Sequence, residues 1–323
     1  MADDLAAGRV PASLSADAEQ IFASIPALEQ AMAGQNYIAG RALATAIYLS
    51  WRLPKPLFLE GEAGVGKTAV ARTLADLLGT PLIRLQCYEG LDISTAVYEW
   101  NYARQMMQIR LLEAGGGHVS LESAHLFGPE FLIERPILAA VTYRGPGRPV
   151  LLIDELDRAD EEFEAFLLEL LADFQVTIPE VGTFRAAQPP AVIITSNRTR
   201  EIHDALRRRC VYHWIDYPTL EKELAVLHTR LPELSPGLAA RVVALVQELR
   251  HRDLYKLPGV AETLDWAAAL LALEAQTLSV DVVRDTLGVL LKHQEDIERL
   301  QGELTPLVQK ADAEGRIHEG DRR

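Results

Sequence analysis

Eight residues, GEAGVGKT from Gly61 to Thr68, constrain the fold of this chain more than any other stretch. They match the pattern G-x-x-x-x-G-K-[ST]. The apolar run PLFLE before them reads as a strand. The segment from Lys67 to Leu78 reads as a helix, with Gly79 just past its end as a stop signal. Glycine is needed where the backbone curls so that its N–H groups face one anion. The start of the following helix adds positive potential at the same place. The expected ligand is a nucleotide phosphate held by Gly61, Glu62, Ala63, Gly64, Val65, Gly66, Lys67, Thr68 and Ala69. Lys67 is expected on the β- and γ-phosphates, and the Thr68 hydroxyl on Mg²⁺. A chance glycine turn is the bland alternative, and a strand before it and a helix after it argue against that.

A second apolar run, RPVLLIDE, ends in two acids. Asp154 closes an uninterrupted hydrophobic strand, which puts its carboxylate near the Mg²⁺. Glu155 follows at once and can polarise a water for in-line attack. The competing reading makes both residues helix caps, since acids favour a first turn. Asn197 ends a further strand, AVIITSN, where a polar side chain can hold the attacking water or the γ-phosphate. Its bland reading is a turn former. The run ALRRRC (205–210) holds three arginines. It fits an arginine that completes a neighbour's ATP site, a phosphate contact to nucleic acid, or a solvated helix end.

The rest of the chain follows an alternation of strands and helices up to Pro218, then helices alone. That pattern implies an α/β class with a parallel sheet covered on both faces, followed by a smaller all-α domain. The expected divisions are a helical or flexible start (1–35), the α/β domain (36–217), the helical domain (218–311) and a frayed polar tail (312–323). One helix is expected over DAEQIFASIPALEQAM. Residues 88–149 read as an insertion and 176–186 as a hairpin. Tyr98, Trp100 and Tyr102 of the insertion either pack it down or face a partner, and packing is the favoured reading. A net charge of -14 over 323 residues disfavours bulk attraction to nucleic acid or an anionic membrane. Cys87 and Cys210 fit neither a disulfide framework nor a metal spacing, so a reducing compartment and core packing are expected of them. Acidic residues at the start do not suit a signal peptide, and no apolar run is long enough to span a bilayer. A cytoplasmic setting is expected.

The order of strand, phosphate loop, LLIDELD, IITSN, ALRRRC and helical domain resembles the AAA+ ATPases. LLELLADFQVTIPE followed by IITSN is similar to the MoxR group of that superfamily. PLIRLQCYEGLD, YEWNYARQ, TSNRTREIHDALRRRCVYHWIDYP and GVAETLDWA look closer still to the CoxD branch, encoded beside carbon monoxide dehydrogenase-type molybdenum hydroxylases. The resemblance implies a five-stranded sheet in the order 5-1-4-3-2, a helical lid, and a homo-oligomeric ring, usually a hexamer, with ATP between subunits. It implies that Lys67 and Thr68 bind ATP and Mg²⁺, that Asp154 holds Mg²⁺, that Glu155 activates water and that Asn197 is the first sensor. It moves the arginine run towards a trans-acting finger, Arg209, with Arg208 in reserve. It further implies a protein client, a molybdenum hydroxylase in maturation, and a von Willebrand factor A domain partner. One departure stands out. Many relatives carry a phosphate-sensing arginine at the start of a lid helix, and here Ala261 or Glu262 occupies that position. Either lid sensing is lost or it comes from Arg252 or Lys256 nearby, and the role is transferred to no residue.

Two other functions share the same nucleotide residues. A DNA-directed motor or loader is disfavoured by the acidic charge and by the lack of a DNA-binding appendage. A nucleotide-gated scaffold would hydrolyse slowly and leave its client unchanged. A GTPase switch lacks an N-K-x-D-type motif, and Glu155 suits a water nucleophile better than a small-molecule kinase.

Overall fold

A computed structural model of the chain describes residues 16–114 and 126–320. The first part of the expected flexible start, the Gly-rich part of the insertion and the last three residues lie outside them. Five strands form one parallel sheet: β1 (Leu57–Gly61), β2 (Leu82–Gln86), β3 (Val150–Asp154), β4 (Ala191–Ser196) and β5 (Val211–Ile215). Their order across the sheet is β2-β3-β4-β1-β5, which is the expected order read from the other edge. The pairings of β1 with β4, β2 with β3 and β3 with β4 are parallel. β5 joins where the Val211 N–H donates to the Pro56 carbonyl at 2.8 Å. β1 and β3 are buried at every position, which is why they read as unbroken apolar runs and not as alternating ones. β2 is an edge strand, and polar Arg84 and Gln86 share one of its faces.

The described residues fall into two compact units. The first holds residues up to 31, 41–60 and 71–213. Its core joins Leu151 and Ile153 of β3 and Ile194 of β4 to Ile137 and Leu138 and to Phe163 and Leu167 of the Glu161–Asp173 helix. Asp160 caps that helix by accepting the Phe163 N–H at 2.9 Å. The sequence DAEQIFASIPALEQAM is two helices, Ala16–Ile21 and Ile25–Gly34, where one was expected. Pro26, which has no N–H to give, suits the first turn of a helix and not its interior, and the Ser24 hydroxyl starts the second helix by accepting the Ala27 N–H at 3.2 Å. Within the insertion, Tyr98–Trp100 pairs antiparallel with Leu132–Glu134. Tyr98 and Trp100 pack against the core, whereas Tyr102 is 64% exposed at the start of its helix. The expected hairpin pairs Gln175–Ile178 with Gly182–Arg185.

The second unit holds residues 32–40, 61–70 and 214 onwards. From Leu220 it is helical, and hydroxyl caps mark where helices begin. Thr219, Ser235 and Ser279 each accept the N–H three residues on, from Lys222, Leu238 and Val282. The central helix, Pro236–Arg250, buries nine of its side chains. Trp266 is fully buried and donates its indole N–H to the Thr286 hydroxyl at 2.8 Å. Helix Leu304–Gly320 runs through most of the polar tail that was expected to fray. That helix packs on Pro236–Arg250, and Arg241 pairs with Asp312 at 2.8 Å.

Glu223, with no exposed surface, is the polar centre of this unit. It takes two bonds of 2.7 Å from Arg250 and one each from Gln247 and Thr263, at 2.8 Å. Removing Arg250 would strand a charge in the core. Arg250→Ala is expected to cost about 3–5 kcal/mol, read as a lower denaturant midpoint for the helical unit. Glu223→Gln, which keeps the shape and part of the bonding, is expected to cost less.

Candidate active site

The candidate residues form two sets, one in each unit. In the second unit lies the phosphate loop. Gly64 and Gly66 take φ of +80° and +94°, the left-handed region in which other residues are strained. Around Gly66 a Cβ would meet nothing within 4 Å, so there the glycine is required by conformation and not by crowding. Lys67 is buried, and its ammonium donates to the carbonyls of Gly61 and Glu62 at 2.7 Å each. Val65 is buried beneath the loop, while Thr68 and Ala69 are half-buried in the first turn of the helix.

The lid helix Val260–Ala272 starts against this loop. The Ala261 N–H donates to the Gly64 carbonyl at 3.2 Å. A Cβ on Gly259 would lie 2.8 Å from the Ala63 carbonyl oxygen and 2.9 Å from the Gly64 backbone. Glu262, which with Ala261 is the position where the resemblance leads one to expect a sensing arginine, caps its own helix by accepting the Gly259 N–H at 3.0 Å. Its carboxylate also crowds Gly64, at 2.6 Å from where a Cβ would stand. Lys256 approaches Glu262 only to 4.0 Å. Arg252 is engaged elsewhere, with Glu248 at 3.1 Å and Glu303 at 2.9 Å.

In the first unit the ends of β2, β3 and β4 bring the acidic set together. Asp154 is 2% exposed. Its Oδ1 accepts from the Thr195 hydroxyl at 2.6 Å, and its Oδ2 from Arg84 at 2.6 and 2.9 Å. The Thr195 oxygen in turn accepts the Glu155 N–H at 2.9 Å. Glu155 turns the chain off the strand with φ of +56°. Its carboxylate is bracketed: Asn197 Nδ2 reaches Oε1 at 3.4 Å, while Gln86 Nε2 and Arg158 Nε reach Oε2 at 3.1 Å each. Neither acid makes a side-chain cap for the next helix; Asp160 does that. The loop after β4 is pinned by buried Asp157, which accepts the Asn197 N–H at 3.2 Å and both the N–H and hydroxyl of Thr199.

Arg84, Gln86, Arg158 and Thr195 escaped the sequence reading. Alternation within LIRLQ was a usable signal, because it sets Arg84 and Gln86 on one face, and the register then pairs Gln86 with Asp154. The arginine run splits three ways. Arg207 turns inward to Glu60 at 2.9 Å. Arg208 is 80% exposed and pairs with Asp204 at 3.5 Å. Arg209 is exposed and donates to the Leu168 carbonyl. Both cysteines are packed as expected. Burial foremost, then the neighbouring Asp154, Asp157 and Glu155, pushes the Cys87 thiol up to about 12, and burial pushes Cys210 up to about 12.

Residues 56–210 match the family model for the AAA domain (dynein-related subfamily). Among curated proteins, the chain is 29% identical over 158 residues to the ATP-dependent protease ATPase subunit HslU of Azorhizobium caulinodans, covering 42% of this chain and 35% of that one. It is 28% identical over 201 residues to the ATP-dependent zinc metalloprotease FtsH of Methylococcus capsulatus, covering 61% of this chain and 27% of that one. The chain thus spans about a third or less of the length of these relatives. Among solved structures, the RuvB Holliday junction branch migration motor of Thermotoga maritima aligns with a TM-score of 0.43 and 16% identity, over 82% of this chain and 71% of that one. The fold is the P-loop AAA+ α/β fold with a helical C-terminal part.

Two outcomes follow from this geometry. Gly259→Ala drives a Cβ into backbone, so it is expected to cost roughly 1–3 kcal/mol in thermal unfolding and to weaken ATP-analogue binding. Gly288→Ala, a helical glycine with nothing within 4 Å of its Cβ position, is the control and is expected to be neutral or slightly stabilising. Because both thiols stay protonated well above pH 8, iodoacetamide at that pH is expected to leave the native protein unlabelled and to label it twice after unfolding, by intact mass.

Proposed function

We propose that this chain is a Mg²⁺-dependent ATPase that works as a ring of identical subunits, hexameric by resemblance, and remodels a protein client. The observation that carries the catalytic part is the bracket on Glu155. Donors from Gln86, Arg158 and Asn197 hold both carboxylate oxygens in place beside Asp154. A carboxylate oriented in this way is suited to take the proton of an attacking water. Asn197, on the same carboxylate, is placed to steady that water.

The phosphate loop fits a polyphosphate. Its glycines take the conformations that turn backbone N–H groups to one side, and the space beyond Gly66 is open. The Lys67 ammonium would exchange its two loop carbonyls for phosphate oxygens. Thr68 offers a hydroxyl and Asp154 a carboxylate, each a hard oxygen of the kind Mg²⁺ takes. When bound, Mg²⁺ supplies charge neutralisation at the phosphates. Arg84 would have to share or yield its place on Asp154.

Arg209, with Arg208 in reserve, is assigned to the neighbouring subunit's ATP. A protein client is favoured over DNA by the acidic charge and by two curated relatives that are ATP-dependent protease components by name. The likeness of the quoted stretches to the CoxD branch supports a narrower reading. The client would be a molybdenum hydroxylase under maturation, with a von Willebrand factor A domain protein as partner, in the cytoplasm. Among the described residues no helix is long and apolar enough to cross a membrane.

The test is ATPase rate against protein concentration, with assembly followed by light scattering. The rate per subunit is expected to rise with concentration. Glu155→Gln is expected to trap an ATP-bound ring. Arg209→Ala is expected to bind ATP yet lose at least about 10³-fold in turnover. A rate independent of concentration, with Arg209→Ala fully active, would mean self-contained sites and would sink the ring reading.

A further inference from the structure

Glu60 is a buried charge that the catalytic reading leaves unused. It is the last residue but one of β1, and the phosphate loop begins at the next residue, Gly61. It is 2% exposed. Arg207 Nη2 and the Tyr212 hydroxyl both donate to its Oε2 at 2.9 Å, and the Ser196 hydroxyl reaches its Oε1 at 3.4 Å. The register sets Glu60 opposite Ser196 on β4, one residue before Asn197. The Arg207 guanidinium also lies over the rings of Tyr212 and Phe58, at 5.2 and 5.9 Å.

Four pieces of chain therefore meet on one carboxylate. They are the strand that feeds the phosphate loop, the strand that feeds Asn197, β5, and the short helix Asp204–Arg209. Arg207 belongs to the arginine run, but it pairs with Glu60 while its neighbours have other partners. Arg208 is mostly exposed and Arg209 lies outside the Glu60 cluster. In a helix of only six residues, one anchored side chain fixes how the next two are presented.

We propose that Glu60 and Arg207 are a positioning pair. Through it each subunit sets the arginine it offers to its neighbour from the strand end beside its own phosphate loop. The proposal rests on the reading that Arg209, or Arg208, acts in trans. It predicts that breaking the pair impairs a subunit as an arginine donor, and this separates it from a pair that only stabilises the fold.

A mixing experiment isolates donation. The acceptor is Arg208→Ala/Arg209→Ala, which keeps its phosphate loop and Glu155. Donors carry Lys67→Ala, so they offer arginines but hydrolyse nothing themselves. Every donor is first checked for an unfolding midpoint above the assay temperature and for entry into mixed rings by light scattering. The Lys67→Ala donor is expected to restore acceptor turnover. Lys67→Ala/Glu60→Gln is expected to restore at least about tenfold less, the scale of a misplaced catalytic group. Lys67→Ala/Arg207→Lys, which keeps the charge on a shorter donor set, is expected to fall between them; if the Glu60 variant does not fold, this donor carries the test alone. Equal rescue by folded, assembled Glu60 and Arg207 variants overturns the positioning role and leaves the trans arginine standing. No rescue by Lys67→Ala itself overturns the trans arginine, and the positioning role falls with it.

Discussion

A carboxylate buried at the end of an apolar strand must be given partners, and much of this molecule is arranged around that demand. Moving such a group from water into the interior costs several kcal/mol unless hydrogen bonds replace its hydration. Asp154 takes Thr195 and Arg84. Asp157 takes the backbone and hydroxyl of the loop after β4. Glu164 takes Arg200 and the His203 N–H. In the helical unit Asp296 accepts the N–H groups of Tyr255 and Lys256, at 2.8 and 3.3 Å. Asp157, Glu164 and Asp296 thereby each fix a loop that would otherwise have little to hold it, while Asp154 ties β3 to the strands on either side. The fixed geometry around Asp154 is thus a by-product of the cost of burying charge.

The parallel sheet supplies the other half of the arrangement. Strands that run the same way end on the same edge, so the polar residues that close them come together whatever their separation in sequence. Gln86 lies opposite Asp154, and Glu60 opposite Ser196. The edge strand can spare Arg84 for this row because only one of its sides is paired.

The strand ends and the glycine loop were legible in the sequence because both are local patterns. An unbroken apolar run announces burial, and an acid that closes one announces a site. The sheet order came from resemblance and not from periodicity. Arg84, Thr195 and Glu60 were not legible, because their roles depend on register between strands tens of residues apart. The inward turn of Arg207 was hidden for the same reason, since three consecutive arginines look alike until their neighbours are known. The division of DAEQIFASIPALEQAM was legible in part, as Ser24 and Pro26 are ordinary start signals. Helical spacing of the apolar residues on either side outweighed them. The tail misled because its composition is polar, yet Leu307, Val308 and Ala311 are buried against the lid core and carry the helix onward.

That last helix has a practical consequence. Gly315 lies so close to Arg241 that a Cβ there would come within 2.8 Å of its side chain, and Asp312 holds the same guanidinium. The residues that look most dispensable therefore form the clasp of the helical unit. A chain trimmed at Ala311, where the helical domain was expected to end, would leave Arg241 without its acid and open the seam beside helix Pro236–Arg250.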